Sequence, residues 1–358
     1  MRNCVNPNQV SLFDFTQNRG ATERGGRKPH IVHVYDNIVS IENLLVSWQE
    51  FLRGKRKRKD VAKFSLTFID SIIQLHRDLV EKTYRHGSYF AFKISDPKPR
   101  DIHKADLRDR IVHHAIYRII YPFFDSKFIF DSYSCRKNKG THRAIDRFRE
   151  FGRKISYNNT RTAWVLKGDI KKFFANIDHE ILINILKRHI DDMDTLLLLE
   201  KIIDSFNTDG KNGVGIPLGN LTSQLLVNIY MNEFDQFVKR KLKVKYYIRY
   251  ADDFLILNEN RLYLQELIPK LSDFLETKLK LFLHPKKFFI KTLASGVDFL
   301  GWVHFIYHRI PRTSTKRRIL NRLQENESKE TLTSYLGLLS HGNTYKLTQK
   351  IKLRSLRD

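Results

Sequence analysis

Cysteine is nearly missing: Cys4 and Cys135 are the only two in 358 residues. That excludes a disulfide framework and a cysteine-built zinc site, and it points to a reducing, cytoplasmic setting. No apolar run approaches the ~18 residues of a membrane span, and Met1-Arg2-Asn3-Cys4 does not open a signal peptide. A membrane is therefore not expected as a partner. Fourteen histidines are scattered without a His-Glu-x-x-His or comparable ligand spacing, so most belong on the surface. There is no internal repeat. Acid is also in short supply, with 39 Asp and Glu against 64 Lys and Arg, a net charge of +25. With a pI near 9.9, such an imbalance calls for a polyanionic partner, nucleic acid first. An apolar fraction of 41% is ample for a core, and the length allows two or three packed subdomains.

Residues 1–40 are polar and lack a sustained period, and they read as a loose N-terminal extension. Ile41–Leu52 has helical spacing and runs into Arg53-Gly54-Lys55-Arg56-Lys57-Arg58-Lys59, either a solvated loop or a phosphate contact. A second helix is expected over Thr67–Lys82, and Tyr84–Ile94 alternates like a strand. Asp96-Pro97-Lys98-Pro99-Arg100 is a proline-stiffened turn that would hold Lys98 and Arg100 in place. In the helix opening at Asp106, Arg110 could simply pair with Asp106 at i and i+4. The loop Phe128–Thr141 interleaves Tyr133, Arg136, Lys137 and Lys139, a composition able to stack on and neutralise single-stranded nucleic acid.

Trp164–Asp169 reads as a buried strand ending in a carboxylate, and Asp178 as the N-cap of the next helix. Gly213–Asn220 either lets backbone approach a ligand or merely shapes the start of a helix over Thr222–Leu242. Pro269 should kink or split the helix Leu262–Leu279. Leu281–Lys291 looks strand-like with a break at His284-Pro285, Val297–Trp302 is a short hairpin, and the tail from Arg312 is basic and helical.

The organising stretch is Tyr246–Leu257, where two apolar or aromatic runs flank Ala251-Asp252-Asp253, a hairpin with an acidic tip. Adjacent carboxylates repel unless they share a cation, ideally divalent, although Asp-Asp is also a common turn dipeptide. Asp169 upstream shifts that balance. Carboxylates from two neighbouring strands can bind two Mg²⁺ about 4 Å apart, one activating a hydroxyl and one neutralising a leaving phosphate. Such a site performs nucleotidyl transfer with no serine or cysteine nucleophile, on a basic surface that carries the template.

From Ile41 to Leu347 the chain resembles the reverse transcriptases. Tyr250-Ala251-Asp252-Asp253 is similar to the family's catalytic hairpin and Asp169-Ile170-Lys171-Lys172-Phe173-Phe174 to its first palm motif. The resemblance implies that Asp169, Asp252, Asp253 and the Ile170 carbonyl hold two Mg²⁺ (or Mn²⁺), and that Lys287, more than Lys286, protonates the leaving pyrophosphate. It places Phe174 as a steric gate that selects dNTPs, and Lys98, Arg100 and Arg110 on the triphosphate. Leu218, Gly219 and Gln224 then lie beside the incoming nucleotide. Phe299, Leu300 and Gly301 fall in the primer-grip hairpin, and Arg136, Lys137 and Lys139 face template RNA. The implied architecture is an α+β right hand: fingers over 41–163, a palm with an antiparallel sheet over 164–302, and a small helical thumb over 303–358.

Within that family, Leu218 before Gly219 and Gln224 after Ser223 resemble the enzymes of diversity-generating retroelements. Those copy a template-repeat RNA into cDNA altered at template adenines, with a small basic accessory protein. An apolar Leu218 removes a hydrogen bond that could police base-pair geometry. Tyr133-Ser134-Cys135-Arg136 and Ser334-Tyr335-Leu336-Gly337 also suit that group, whereas residues 1–40 have no counterpart. Retron, group II intron and phage-defence enzymes are the alternatives. Group II intron proteins usually add maturase or endonuclease regions after the thumb, for which little chain follows Leu347. A non-catalytic RNA scaffold has no use for three clustered carboxylates, and an RNA polymerase is disfavoured by Phe174.

Overall fold

In a computed structural model, which describes residues 30–95, 99–325 and 328–354, the N-terminal half is largely helical. It comprises α1 (Tyr35–Val39), α2 (Ile41–Leu52), α3 (Lys59–Leu66) and α4 (Phe68–Val80), then the antiparallel pair β1 (Tyr89–Ile94) and β2 (Arg100–Ala105), then α5 (Leu107–Lys127) and α6 (Thr141–Ile155). The centre follows as β3 (Trp164–Asp169), α7 (His179–Lys187), α8 (Met193–Asp204), α9 (Leu221–Gln236), β4 (Tyr247–Tyr250), β5 (Asp253–Asn258), α10 (Arg261–Leu279) and β6 (Phe289–Thr292). The C-terminal part holds β7 (Val297–Phe299), β8 (Trp302–His304), β9 (Arg309–Pro311), α11 (Thr313–Glu325), α12 (Lys329–Leu339) and α13 (Tyr345–Arg354).

The central sheet has the order β4-β5-β3-β6, with every neighbour antiparallel. Its middle strands are apolar on both faces because both faces are covered. Leu166, Phe254 and Ile256 enter the large cluster with Tyr230, Phe234 and Leu271, whereas Val165, Leu255 and Leu257 enter a second cluster with Phe148, Phe151 and Phe299. Period-2 alternation thus becomes the continuous runs Trp164-Val165-Leu166 and Phe254-Leu255-Ile256-Leu257. The sheet is locked from both sides, and its register cannot slip without exchanging the two clusters.

Three expectations need correction. Residues 31–39 are not a loose extension: Ile31 bridges Ile190, and the Asp192 carboxylate accepts from Val34 N at 2.7 Å and Tyr35 N at 2.8 Å. The same carboxylate caps α8 through Thr195 N, so one aspartate serves two segments. Residues 1–29 lie outside the described chain. Of the kink or split expected at Pro269, the split does not occur, since α10 runs over Arg261–Leu279 as one helix. Pro269 and Gln265 are exposed, so the carbonyl that loses its partner faces water, while Leu264, Leu267, Leu271 and Leu275 stay buried. The helix expected to reach Leu242 ends at Gln236 and continues as a π-helical turn, Phe237–Lys241. Asp178 does cap its helix, with Oδ1 accepting from Ile181 N at 3.0 Å.

Beyond β6, the hairpin β7–β8 gains β9 as a third strand, so a division at 302 would fall inside a sheet. The last helices enclose a small core of their own, Ile319, Leu323, Leu339 and Ile351. No helix among the described residues is long and apolar enough to cross a membrane.

Candidate active site

Strand pairing brings the acids together. Asp169, the last residue of β3, lies directly opposite Asp253, the first residue of β5, and Ile170 N donates to the Asp252 carbonyl at 3.2 Å. Like charges directly opposed across a ladder repel. Ala251, at the hairpin tip, takes a φ of 54°, a left-handed conformation that costs a non-glycine residue about 1 kcal/mol. Burial, then the charges of Asp253 and Asp169, push the Asp252 carboxyl up to about 6. Asp253 is also raised, by burial foremost, with Lys167 pulling the other way.

Cations meet these acids from two sides. The Lys287 ammonium donates to both Asp169 oxygens, at 2.7 and 2.9 Å, from a single 3₁₀ turn over Pro285–Lys287. That turn is pinned to the strand end by His284 N donating to the Asp169 carbonyl at 2.7 Å and Lys171 N to the Phe282 carbonyl at 2.8 Å. Of the two adjacent lysines, Lys287 is the one that reaches Asp169. Lys167 Nζ stands 3.6 Å from Asp253 Oδ1, and that oxygen is buried without a hydrogen bond.

Below the tip, the sequence reading missed a buried ion pair. Arg249, 1% exposed, binds Asp235 through Nε and a terminal nitrogen at 2.8–2.9 Å, and also reaches Asn228 Oδ1, Ser132 Oγ and the Ala251 carbonyl. The Tyr247 hydroxyl donates to the same Asp235 at 2.7 Å. An arginine inside the apolar run Tyr247-Ile248-Arg249-Tyr250 was the available signal, because a buried charge demands a partner. This network holds the hairpin tip from beneath.

The donor chemistry fits a divalent cation: opposed carboxylates, one with an orphaned buried oxygen, at the end of a rigid strand. The cage is not preformed, since no group of three His, Cys, Asp or Glu among the described residues closes on one point. Lys287 takes both Asp169 oxygens instead.

The sequence profile of the family described as reverse transcriptase (RNA-dependent DNA polymerase) matches residues 95–304, which contain every one of these groups. The chain belongs to the reverse transcriptase family. Among its curated relatives, Protein YkfC of Escherichia coli is 28% identical over 284 residues, 68% of this chain and 72% of that protein. The group II intron-encoded protein LtrA of Lactococcus lactis is 30% identical over 188 residues, 51% of this chain but only 30% of LtrA. A solved apo telomerase from Candida tropicalis, truncated from its C-terminal domain, aligns at a TM-score of 0.45 and 14% identity, over 65% of this chain and 54% of that one. Reverse transcriptases generally use divalent metals such as Mg²⁺.

In this reverse transcriptase the glycine loop is hydrogen-bonded to β2 of the β1–β2 hairpin. His103 N donates to the Leu218 carbonyl at 2.9 Å, while Asn220 accepts from Ala105 N and donates to the His103 carbonyl. Gly219 has a φ of 114°, and a Cβ there would stand 2.8 Å from Ile102. Leu218 and Gln224 are half-buried. Phe174, also half-buried, lies in the turn after Asp169, and its carbonyl accepts from Ile216 N at 2.8 Å. That bond ties the aromatic position to the same loop. Arg100 is exposed at the start of β2, and Lys98 lies outside the described residues. Arg110 is buried, stacked 4.8 Å over Phe51 and paired with Asp60 at 3.1 Å rather than with Asp106, and its Nε has no partner.

Two nucleic-acid assignments are corrected. Arg136 faces inward: four of its five N–H donors go to Asp125 Oδ1, the Asp125 carbonyl, and the Ile129 and Ser132 carbonyls. Phe299 is fully buried against Phe148 and His304, so the β7–β8 hairpin presents only Leu300 and Gly301 at its tip, with φ of 49° and 88°. Lys137 is exposed, and Lys139 lies 3.4 Å from the Phe130 ring centroid.

Proposed function

We propose that this reverse transcriptase serves a diversity-generating retroelement, copying a template-repeat RNA into cDNA that carries substitutions at template adenines. The observation that carries the reading is Leu218, an apolar side chain fixed beside the fingers hairpin by its own carbonyl and by Gly219. A site that cannot hydrogen-bond the nascent pair discriminates it mainly by shape, and shape alone rejects mispairs weakly. Template RNA, primer, dNTPs and a small basic accessory protein are the partners of this reading, in the cytoplasm of a bacterial, archaeal or phage-infected cell.

Two Mg²⁺ ions, or Mn²⁺ in their place, would be held by Asp169, Asp252, Asp253 and the Ile170 carbonyl, and when bound they activate the primer hydroxyl and neutralise the leaving pyrophosphate. In this reading Lys287, whose ammonium donates to Asp169 at 2.7 Å, gives its proton to the pyrophosphate oxygen as the bond to the α-phosphate breaks. Phe174 closes the sugar side against a 2′-hydroxyl, and Arg100, with Lys98, holds the triphosphate, whereas Arg110 would have to leave Asp60 to join them. The reading is supported by the strand register that sets Asp169 against Asp253.

Primer extension on RNA by the purified protein, alone and with its accessory partner, tests the reading. Asp252→Ala should abolish dNTP incorporation, and Leu218→Gln should lower misincorporation opposite adenine. An error spectrum without an adenine excess overturns the retroelement assignment and leaves the polymerase standing. A group II intron role is the second reading, favoured by the names of relatives such as LtrA. A neighbouring template repeat and variable gene would decide against it.

A further inference from the structure

A cavity of about 280 Å³ lies between α6 and the β8–β9 strands, closed at one end by the turn His341–Asn343. Its floor is apolar, formed by Phe148 and Leu293. Gly152 makes that floor possible, since a Cβ there would stand 2.7 Å from Leu293 Cδ2. Arg149 and Arg153 from α6 and Arg309 make the walls cationic, His308 lines them as well, and no Asp or Glu is among the lining residues. Arg309 is spoken for, with hydrogen bonds to the His341 carbonyl and, at 3.5 Å, to Asp146. Arg149 and Arg153 are not: both are exposed, and neither guanidinium has a hydrogen bond or ion pair among the described residues.

Two arginines at i and i+4 on one helix face repel, and this pair has no acid between or beside it in the cavity. Elsewhere on α6 the arrangement differs, because Arg147 and Lys154 both pair with Glu150. Beside the unpaired arginines, Tyr307 stands 74% exposed at the rim, and the His308 ring is stacked on Phe305 at 4.9 Å. Free guanidinium groups next to exposed aromatic faces are the chemistry that receives a phosphate and its neighbouring base. The volume suits one nucleotide unit and falls below the usual range for a drug-sized ligand.

The position is remote from the polymerising site. Leu293 N donates to the Ala163 carbonyl, at the end of β3 opposite Asp169, and six strand residues span ~20 Å. We infer that this cleft binds single-stranded nucleic acid through two phosphates on Arg149 and Arg153, with a base against Tyr307 or His308, at a distance from the catalytic carboxylates. The polymerase reading enters only by making nucleic acid the available polyanion. Because the cleft is closed by the turn before α13, a strand seated there would also contact the C-terminal helices.

Binding of a single-stranded RNA, followed by fluorescence anisotropy across a salt series, tests this in the full-length protein without any polymerisation. Arg149→Ala/Arg153→Ala should weaken affinity ~10-fold at physiological salt and flatten the salt slope by about 1.4, from ~0.7 per lost phosphate. Arg149→Lys/Arg153→Lys keeps both charges and should keep the slope. RNA carrying 4-thiouridine should crosslink to the peptide holding Tyr307 and His308, in the Asp252→Asn protein as well. An unchanged slope in the alanine variant, or crosslinks confined to other peptides, overturns the inference. Competition by free UMP as strong as by the strand also overturns it, making the cleft a mononucleotide pocket. Failure of primer extension with the crosslink intact would strike the polymerase reading alone.

Discussion

Replacing Gly168 with alanine should displace the opposed carboxylates of Asp169 and Asp253 without altering either. Gly168 precedes Asp169 on β3 and faces Phe254, which follows Asp253 on β5. A Cβ at Gly168 would lie 2.2, 2.4 and 2.8 Å from three atoms of the Phe254 ring, so the ring would have to retreat by more than 1 Å to reach ordinary contact. It has nowhere to go, being fully buried with Phe234 at 5.2 Å and Tyr247 at 6.3 Å between ring centroids. Overpacking of this kind costs about 1–3 kcal/mol. The alternative to moving the ring is moving the strands, and then Asp169 and Asp253 shift together. A misplacement of ~1 Å costs on the order of 100-fold in rate. Urea denaturation should show a lower midpoint at unchanged m, and single-turnover primer extension should slow about 100-fold. Adding Phe254→Leu makes room and should return part of both losses. Wild-type stability and rate in Gly168→Ala, or no recovery in the double variant, would refute the reasoning.

Lys287→Met should lower the chemical step by ~10²–10³-fold, read by rapid-quench incorporation, with duplex affinity little changed. Arg136→Ala should cost about 3 kcal/mol in denaturant melts, because a charged hydrogen-bond donor and the partners of three carbonyls are lost together; an RNA-binding defect at full stability would return Arg136 to the template. His304 supplies a pH dependence. Burial foremost, then the charges of Arg309 and Arg312, lower its pKa from 6.5 to about 4, although the bond to the Phe299 carbonyl resists. The unfolded chain therefore takes the proton first. The stabilisation is complete above pH 6.5 and is lost as pH falls towards 4, a total of ~3 kcal/mol. The difference in stability between wild type and His304→Gln should vary across that window and flatten outside it.

The central sheet was readable because its strands carry runs too apolar for one-sided burial, and because the acidic tip sits between two of them. Asp178 and the break at His284-Pro285 were legible for similar reasons, each being a local signal at a chain turn. Misreadings came where tertiary contacts decide. Arg136 sits in a loop whose composition matches an RNA contact, yet its guanidinium is taken up by the loop carbonyls of Ile129 and Ser132 and by the Asp125 carbonyl in the last turn of α5. Arg110 was weighed against Asp106, one turn away, but Asp60 comes from a different helix. Residues 31–39 have too little pattern to announce a helix, and Asp192, far along the chain, supplies the acceptors that order them. Lys167 and Arg249 were both visible as charges in apolar strands, and the sequence alone does not say which acids answer them.

Two lysines offset the negative charge of the opposed carboxylates, Lys167 at Asp253 and Lys287 at Asp169. Lys167 is a permanent partner: its side chain is 7% exposed and also donates to the Asp298 carbonyl at 2.9 Å. Lys287 is a removable one, 42% exposed and carried on a single turn. Asp252 makes no ion pair among the described residues, and its carboxyl is the one pushed up to about 6. Burial raises the Asp252 carboxyl, while an exposed and a buried lysine offset the charge of Asp169 and Asp253. Asp169 would hold a divalent cation in place of Lys287, the exposed partner, with Lys167 left on Asp253; in the proposed mechanism the Lys287 ammonium so freed is the group that would give its proton to the leaving pyrophosphate.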